Sequence, residues 1–187
     1  MTDSWEKLYE ECASCTACEL SKSRTNCVFG TGNKNADILF IGEAPGENED
    51  KSGTPFVGRA GKLLDKYLSD AGLERESVYI ANILKCRPPK NRDPLPCEED
   101  ACINFLNRQI SLINPKIIVC LGRISAKKLI SKKFKISDEH GIWFEFNGIP
   151  ICAVYHPALI LRDPKKGADM LEDMKKIRSY LDTTIKH

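Results

Sequence analysis

Nine cysteines in 187 residues are the first side chains in this sequence that could do chemistry. Cys15-Thr16-Ala17-Cys18 forms a CxxC turn, and Cys86 and Cys102 lie far downstream with 15 residues between them. A CxxC loop can place two sulfurs on one metal centre, and two distant thiolates can complete four-sulfur ligation. The competing reading makes Cys86 and Cys102 buried small hydrophobes, a common fate of free cysteine. Cys12, Cys15 and Cys18 together also read as the start of a ferredoxin run, but no Cys-Pro completes it. Cys12 moreover shares a helical face with Trp5, Leu8 and Tyr9, which suits packing. Cys120 and Cys152 fall inside apolar runs and read as core, while Cys27 and Cys97 stay unassigned. The polar candidates stand directly after apolar runs. They are Gly42-Glu43-Ala44-Pro45-Gly46, Asn82-Ile83-Leu84-Lys85-Cys86 and Tyr155-His156-Pro157. Of three histidines, His187 is terminal and His140 precedes a hairpin, so His156 is the one placed for chemistry.

These residues need elements to hold them. Ile38 to Ile41, Val78 to Ile83 and Ile117 to Leu121 are apolar runs without polar alternation, the mark of strands covered on both faces. Between them the spacing predicts helices over residues 4–12, 59–71, 98–113 and 123–131, with Gly72 closing the second. Trp143 to Phe146 and Ile149 to Val154 flank Asn147-Gly148, a strong hairpin signal, and Met170, Met174, Ile177 and Leu181 form the stripe of a last helix. The alternation points to one α/β domain over residues 1–187 with a largely parallel sheet. In such sheets ligands bind outside the carboxyl ends of the strands, where the three polar stretches fall.

Composition limits the classes. Apolar residues are 42% and charged ones 29%, an ordinary globular balance, and the net charge of +2 does not announce a nucleic-acid binder. No run is long enough for a membrane span, and the first ten residues are too polar for a signal peptide. An odd cysteine count argues for a reducing compartment, so a cytoplasmic, metal-bearing protein is expected.

Four stretches then form a recognisable set. Gly42 to Gly46 with Glu49-Asp50, Gly53-Thr54-Pro55-Phe56-Val57-Gly58-Arg59-Ala60-Gly61, Asn82 with Lys85-Cys86-Arg87-Pro88-Pro89, and His156-Pro157 with Leu161-Arg162 follow in this order. Together they resemble family 4 uracil-DNA glycosylase over nearly the whole chain. The resemblance implies a three-layer α/β/α sandwich around a central four-stranded parallel sheet. It also implies a [4Fe–4S] cluster on Cys15, Cys18, Cys86 and Cys102, a choice that spacing alone leaves open. The expected reaction is monofunctional hydrolysis of the deoxyuridine glycosidic bond, without strand cleavage, in single- or double-stranded DNA, by a monomer.

Each part of that chemistry has a candidate. A flipped pyrimidine needs an aromatic face, and Phe56 matches the family's stacking position. An amide can accept from uracil N3–H and donate to O4 at once, which suits Asn82. His156 would donate to O2, where charge collects as the bond breaks, and the backbone of Gly42, Glu43 and Ala44 would close the pocket. Better-studied uracil glycosylases carry Gly-Gln-Asp-Pro-Tyr at that loop. Here Ala44 takes the Asp position, so Glu43 is the first choice for holding water, with Glu49 second. Glu49 could instead line the pocket near uracil C5, and Glu47, Glu49 and Asp50 could form a solvated acidic loop. Lys85, Arg87, Lys90 and Arg92, together with six basic residues from Arg123 to Lys135, are expected to meet phosphates. Leu159, Ile160 and Leu161, on a predicted loop, would fill the gap left by the flipped base, with Arg162 on a phosphate; core packing is the alternative. Two rivals remain: a non-catalytic iron–sulfur module that binds uracil-bearing DNA, and a zinc-stabilised nucleic-acid-binding domain.

Overall fold

The computed structural model describes residues 4–185; His187 lies outside them. Strands β1 (Thr31–Gly32), β2 (Ile38–Gly42), β3 (Tyr79–Asn82), β4 (Ile117–Leu121), β5 (Phe144–Phe146) and β6 (Ile149–Val154) make one sheet in the order β1-β3-β2-β4-β6-β5. The central β3-β2-β4-β6 block is parallel, as expected, and an antiparallel strand is added at each edge. One of them, β5, is the first arm of the anticipated hairpin. Its Asn147-Gly148 turn takes positive φ at both residues, as a twist-matched two-residue turn requires. The other, β1, is two residues long, too short to leave a periodic signal.

The helices are α1 (Trp5–Ala13), α2 (Glu47–Ser52), α3 (Arg59–Asp70), α4 (Pro96–Ile113), α5 (Arg123–Leu129), α6 (Ile136–Glu139), α7 (Pro157–Arg162) and α8 (Gly167–Ile185). Successive strand residues point to opposite faces, so each apolar run feeds two cores. Phe40, Ile80, Val119 and Val154 pack with Leu64 and Leu68 of α3 and Met170 and Met174 of α8. Leu39, Ala81, Cys120 and Ala153 pack on the other side with Leu106 and Ile110 of α4 and Ala126 of α5. This is the three-layer arrangement, and it explains why the strands carry no polar alternation. Three expectations need correction. Tyr9 lies edge-on to Phe29 but is exposed rather than buried with Leu8 and Cys12. The supposed acidic loop from Glu47 is helix α2, whose Asp50 is buried and accepts from the backbone N–H of Thr25. Residues 159–161 form helix α7 rather than a loop, because Pro157 at its first position presets φ for a helical turn.

After β2 the chain builds β3 on one side and β4 on the other, so the connections leave β2 and β4 in opposite directions. Such a switch point opens a crevice at the carboxyl ends of the strands.

Candidate active site

That crevice is a cleft of about 910 Å³. The parallel register sets Gly42 beside Asn82 and Leu121 beside Val154, so the groups following β2, β3, β4 and β6 meet at its floor. The first turns of α2, α3, α5 and α7 line its walls, and helix amino ends carry partial positive charge.

Asn82 is buried, and among the described residues its Oδ1 has no hydrogen-bond partner. An orphaned buried acceptor costs free energy unless something pairs with it, so this oxygen points to a ligand donor. Gly42 makes the space above it. A Cβ at Gly42 would come 2.4 Å from Asn82 Oδ1 and 2.8 Å from the Phe56 ring, so any larger residue would close the site.

Phe56 sits at the cleft wall with φ of 54°, a conformation that bulky residues rarely adopt. The loop is held there by Glu49, whose Oε1 accepts from the backbone N–H of Val57 at 3.0 Å and of Gly58 at 2.8 Å. Glu49 therefore lines the cleft with one oxygen already committed to positioning Phe56.

The His156 ring lies 5.7 Å from that of Phe56, inclined by 36°. His156 caps α7: its Nδ1 accepts from the Ala158 backbone N–H at 3.1 Å. A ring whose Nδ1 accepts carries its proton on Nε2. Burial, with Arg162 adding to it, pushes the imidazole down to about 4. The ring is thus a neutral donor, available to an oxygen in the cleft. Gly122, in the left-handed region at φ of 92°, allows this packing; a Cβ there would lie 2.8 Å from His156 Cβ.

Glu43 is half-buried, and burial pushes its carboxyl up to about 7, with Asp93 adding to the rise and Arg123 opposing it. A carboxyl poised near neutrality can take or return a proton. Ala44 also lines the cleft and offers no side-chain base.

Of the expected nucleic-acid contacts, Arg92, Leu159, Leu161 and Arg162 line the cleft, while Arg87 and Lys90 do not. Arg92 is paired bidentately with Glu98, and Arg87 donates to Asn91 Oδ1 and pairs with Glu47. Ile160 is corrected: it is 5% exposed and turned into the core beneath α7. Lys85 is corrected too, being 1% exposed, with Nζ donating to the Asn82 carbonyl at 2.9 Å and to Gln109 Oε1 at 2.6 Å. In the run from Arg123 to Lys135, Arg123 pairs with Asp93 and Lys128 with Glu99 and Asp100, so two of its charges are locally balanced. Asn91, Asp93 and Gly122 reach the cleft without having been singled out. Only for Gly122, a glycine directly after an apolar run, was there a signal that could have found it.

A second, apolar cavity is walled by Cys15, Cys18, Cys86 and Cys102, with Cys12 and Lys85 also on its surface. Backbone or guanidinium N–H groups reach three of the sulfurs: Ala17 N to Cys15 at 3.5 Å, Arg24 to Cys86 at 3.1 Å and Lys85 N to Cys102 at 3.3 Å. Burial pushes the Cys102 thiol up to about 11, against Lys85, and raises that of Cys86, against Arg24. Burial also lowers the pKa of Lys85, an effect its sulfur neighbours oppose. Cys12 contacts Cys27 at 3.1 Å between sulfurs and packs with Leu8 and Phe29. Among the described residues no three His, Cys, Asp or Glu side chains converge closely enough to hold one metal ion. No described helix is long and apolar enough to cross a membrane.

The profile of the uracil DNA glycosylase superfamily matches residues 29–182. The type-4 uracil-DNA glycosylase of Sulfurisphaera tokodaii is 49% identical over 185 residues, spanning 94% of this chain and 84% of the relative. That of Archaeoglobus fulgidus is 46% identical over 183 residues, covering 94% and 92%. The Thermotoga maritima type-4 enzyme is 44% identical over 180 residues, covering 94% of each chain.

Proposed function

The chain belongs to the uracil DNA glycosylase superfamily, and from that premise we infer its reaction and the roles of its residues. It excises uracil from DNA by hydrolysing the N-glycosidic bond, leaving an abasic site. The observation that carries the reading is the unpartnered Asn82 Oδ1 between Gly42 and the Phe56 ring. The flipped uracil stacks on Phe56. Asn82 accepts from N3–H through Oδ1 and donates to O4 through Nδ2, a pairing that rejects cytosine, whose N4 amine and unprotonated N3 present the reverse pattern; thymine shares this edge and differs only by its C5 methyl. As the N1–C1′ bond breaks, its electron pair passes to the uracil ring and charge collects on O2. His156 Nε2–H donates to that oxygen, and the cleft's helix amino ends favour the same charge. Glu43 in its ionised form holds the water that adds to C1′ and takes its proton. Leu161 and Leu159 occupy the space left in the base stack, and Arg162, exposed at the rim, meets a phosphate. The protein acts as a monomer on single- or double-stranded DNA, in a cytoplasm that keeps thiols reduced.

The four cysteines around the second cavity fit an iron–sulfur cluster better than a single ion. Thiolates on a polynuclear cluster bind separate irons and need not converge on one point, and N–H groups directed at sulfur are the usual surroundings of such ligands. Cys15, Cys18, Cys86 and Cys102 would hold a 4Fe–4S cluster that ties the amino-terminal loop to the segment after β3. Such a group would supply structural cross-linking, since hydrolysis moves no electrons. Incubating the protein with a uracil-bearing oligonucleotide, followed by alkali, tests the reaction: cleavage at the uracil position is expected. An intact strand under single-turnover conditions would leave a binding module instead. Iron and sulfide analysis with visible absorption tests the cluster, and stoichiometric zinc would overturn it.

A further inference from the structure

Lys85 is a lysine buried just past the end of β3, 1% exposed. Its ammonium is held by two neutral oxygens, the Asn82 carbonyl and Gln109 Oε1, and among the described residues no Asp or Glu lies within ion-pair distance. Gln109 is itself fixed, donating to the Phe29 carbonyl at 3.0 Å. A buried charge is strongly destabilising unless it is paired, so a partner of opposite sign nearby would stabilise the ammonium. The Lys85 backbone N–H donates to Cys102 Sγ at 3.3 Å, and Lys85 forms part of the cavity that the four candidate ligands surround. A 4Fe–4S core held by four thiolates would be, taken together with them, net negative. Arg24, donating to Cys86 Sγ, supplies a second cation on the same cavity.

We propose that Lys85 is a positioning residue: it is the buried counter-cation of the cluster, and through its bond to the Asn82 carbonyl it couples an occupied cysteine cavity to the set of the base-reading amide. This rests on the cluster reading above. The geometry suits the coupling. Asn82 and Cys86 are the two ends of one short segment, and Lys85 spans it from inside, tying the end of β3 to α4. A hydrolase would thereby need its cluster without passing electrons through it.

The test uses the iron-loaded protein. In Lys85→Met the ammonium is lost at nearly constant volume. The cluster's reduction potential, read by film voltammetry, is expected to fall, because a cation near a cluster favours its reduced state. Single-turnover excision should drop roughly ten- to hundredfold through displacement of Asn82, with affinity for uracil-bearing DNA little changed. Lys85→Arg keeps the charge and should restore most of the potential. Should Lys85→Met fail to load iron, Gln109→Glu carries the same test. It leaves the ammonium in place and offsets its charge, so the potential should again fall. A parental potential in fully loaded Lys85→Met or Gln109→Glu overturns the proposal, as does Lys85→Arg matching Lys85→Met. Parental protein that purifies without iron and sulfide overturns the cluster reading itself, which separates the two failures.

Discussion

The cleft and the sulfur-lined cavity are separated by one short segment, with Asn82 facing the first and Cys86 the second. They solve the problem of burial in opposite ways. In the cavity three of the four candidate ligand sulfurs are met from within the protein, by Arg24 and the backbone of residues 17 and 85. In the cleft Asn82 Oδ1 is left without a partner and His156 keeps one ring nitrogen for something outside the chain. A site whose polar atoms are mostly met from within the chain serves structure. A site that is left unsatisfied waits for a ligand, and the free energy withheld there becomes recognition.

Damage to the two regions should therefore be asymmetric. Cys86→Ala should have the largest effect, since it breaks the cavity and loosens the segment bearing Asn82. Visible absorption and bound iron should be lost and the melting temperature should fall, whereas Cys12→Ala should keep its iron. Fully loaded Cys86→Ala protein would remove that residue from the ligand set. Asn82→Asp should break the cleft alone. The aspartate keeps an acceptor but loses the donor to O4 and sets a charge against its lone pairs. Single-turnover excision of uracil should fall about 10⁴-fold, the scale on which a site built for paired hydrogen bonds rejects a mismatch. Iron content should not change, and parental rates would show that Asn82 does not read the base.

His156→Ala should lower the chemical step by about 10²–10³-fold, the range for one lost oxyanion donor, with DNA affinity falling much less. If only affinity falls, the ring is a contact rather than a catalytic group. Glu43→Gln should lower the rate about 10²-fold and flatten its pH profile. With the carboxyl at about 7, parental kcat/KM should rise as pH increases through that value, because only the ionised form accepts a proton from water. His156, at about 4, is already neutral across this range and contributes no second limb. A parental profile that is flat from pH 5 to 9 would assign the water to another group. Arg162→Ala is the mildest change: the slope of log affinity against log salt should shrink by about one phosphate contact, uniformly across sequences.

Much of this is legible in the sequence. Central strands without polar alternation required cover on both faces, and the Asn-Gly turn required a hairpin. Both follow from local periodicity and backbone preference, which travel with the sequence. The misreadings came from charge and short apolar runs. Lys85 reads as one more cation in a basic stretch, and Ile160 as one more residue of an apolar tip. Which way a side chain turns at the end of a strand or on a short helix depends on neighbours distant in the chain. For Lys85 the decisive neighbour is Gln109 on α4, and for Glu49 it is the backbone of residues 57 and 58.

The sequence by itself determined the layered α/β architecture, the positions of its strand ends and the residue types waiting there, because these depend on spacing a few residues long. Only the tertiary structure decided that, among the described residues, Asn82 Oδ1 has no partner and Lys85 is buried with no carboxylate in ion-pair reach, that His156 is a neutral donor and that Glu43 is poised near neutrality. Those properties are set by desolvation and by atoms brought together from separate elements, and neither is encoded at any single stretch of chain.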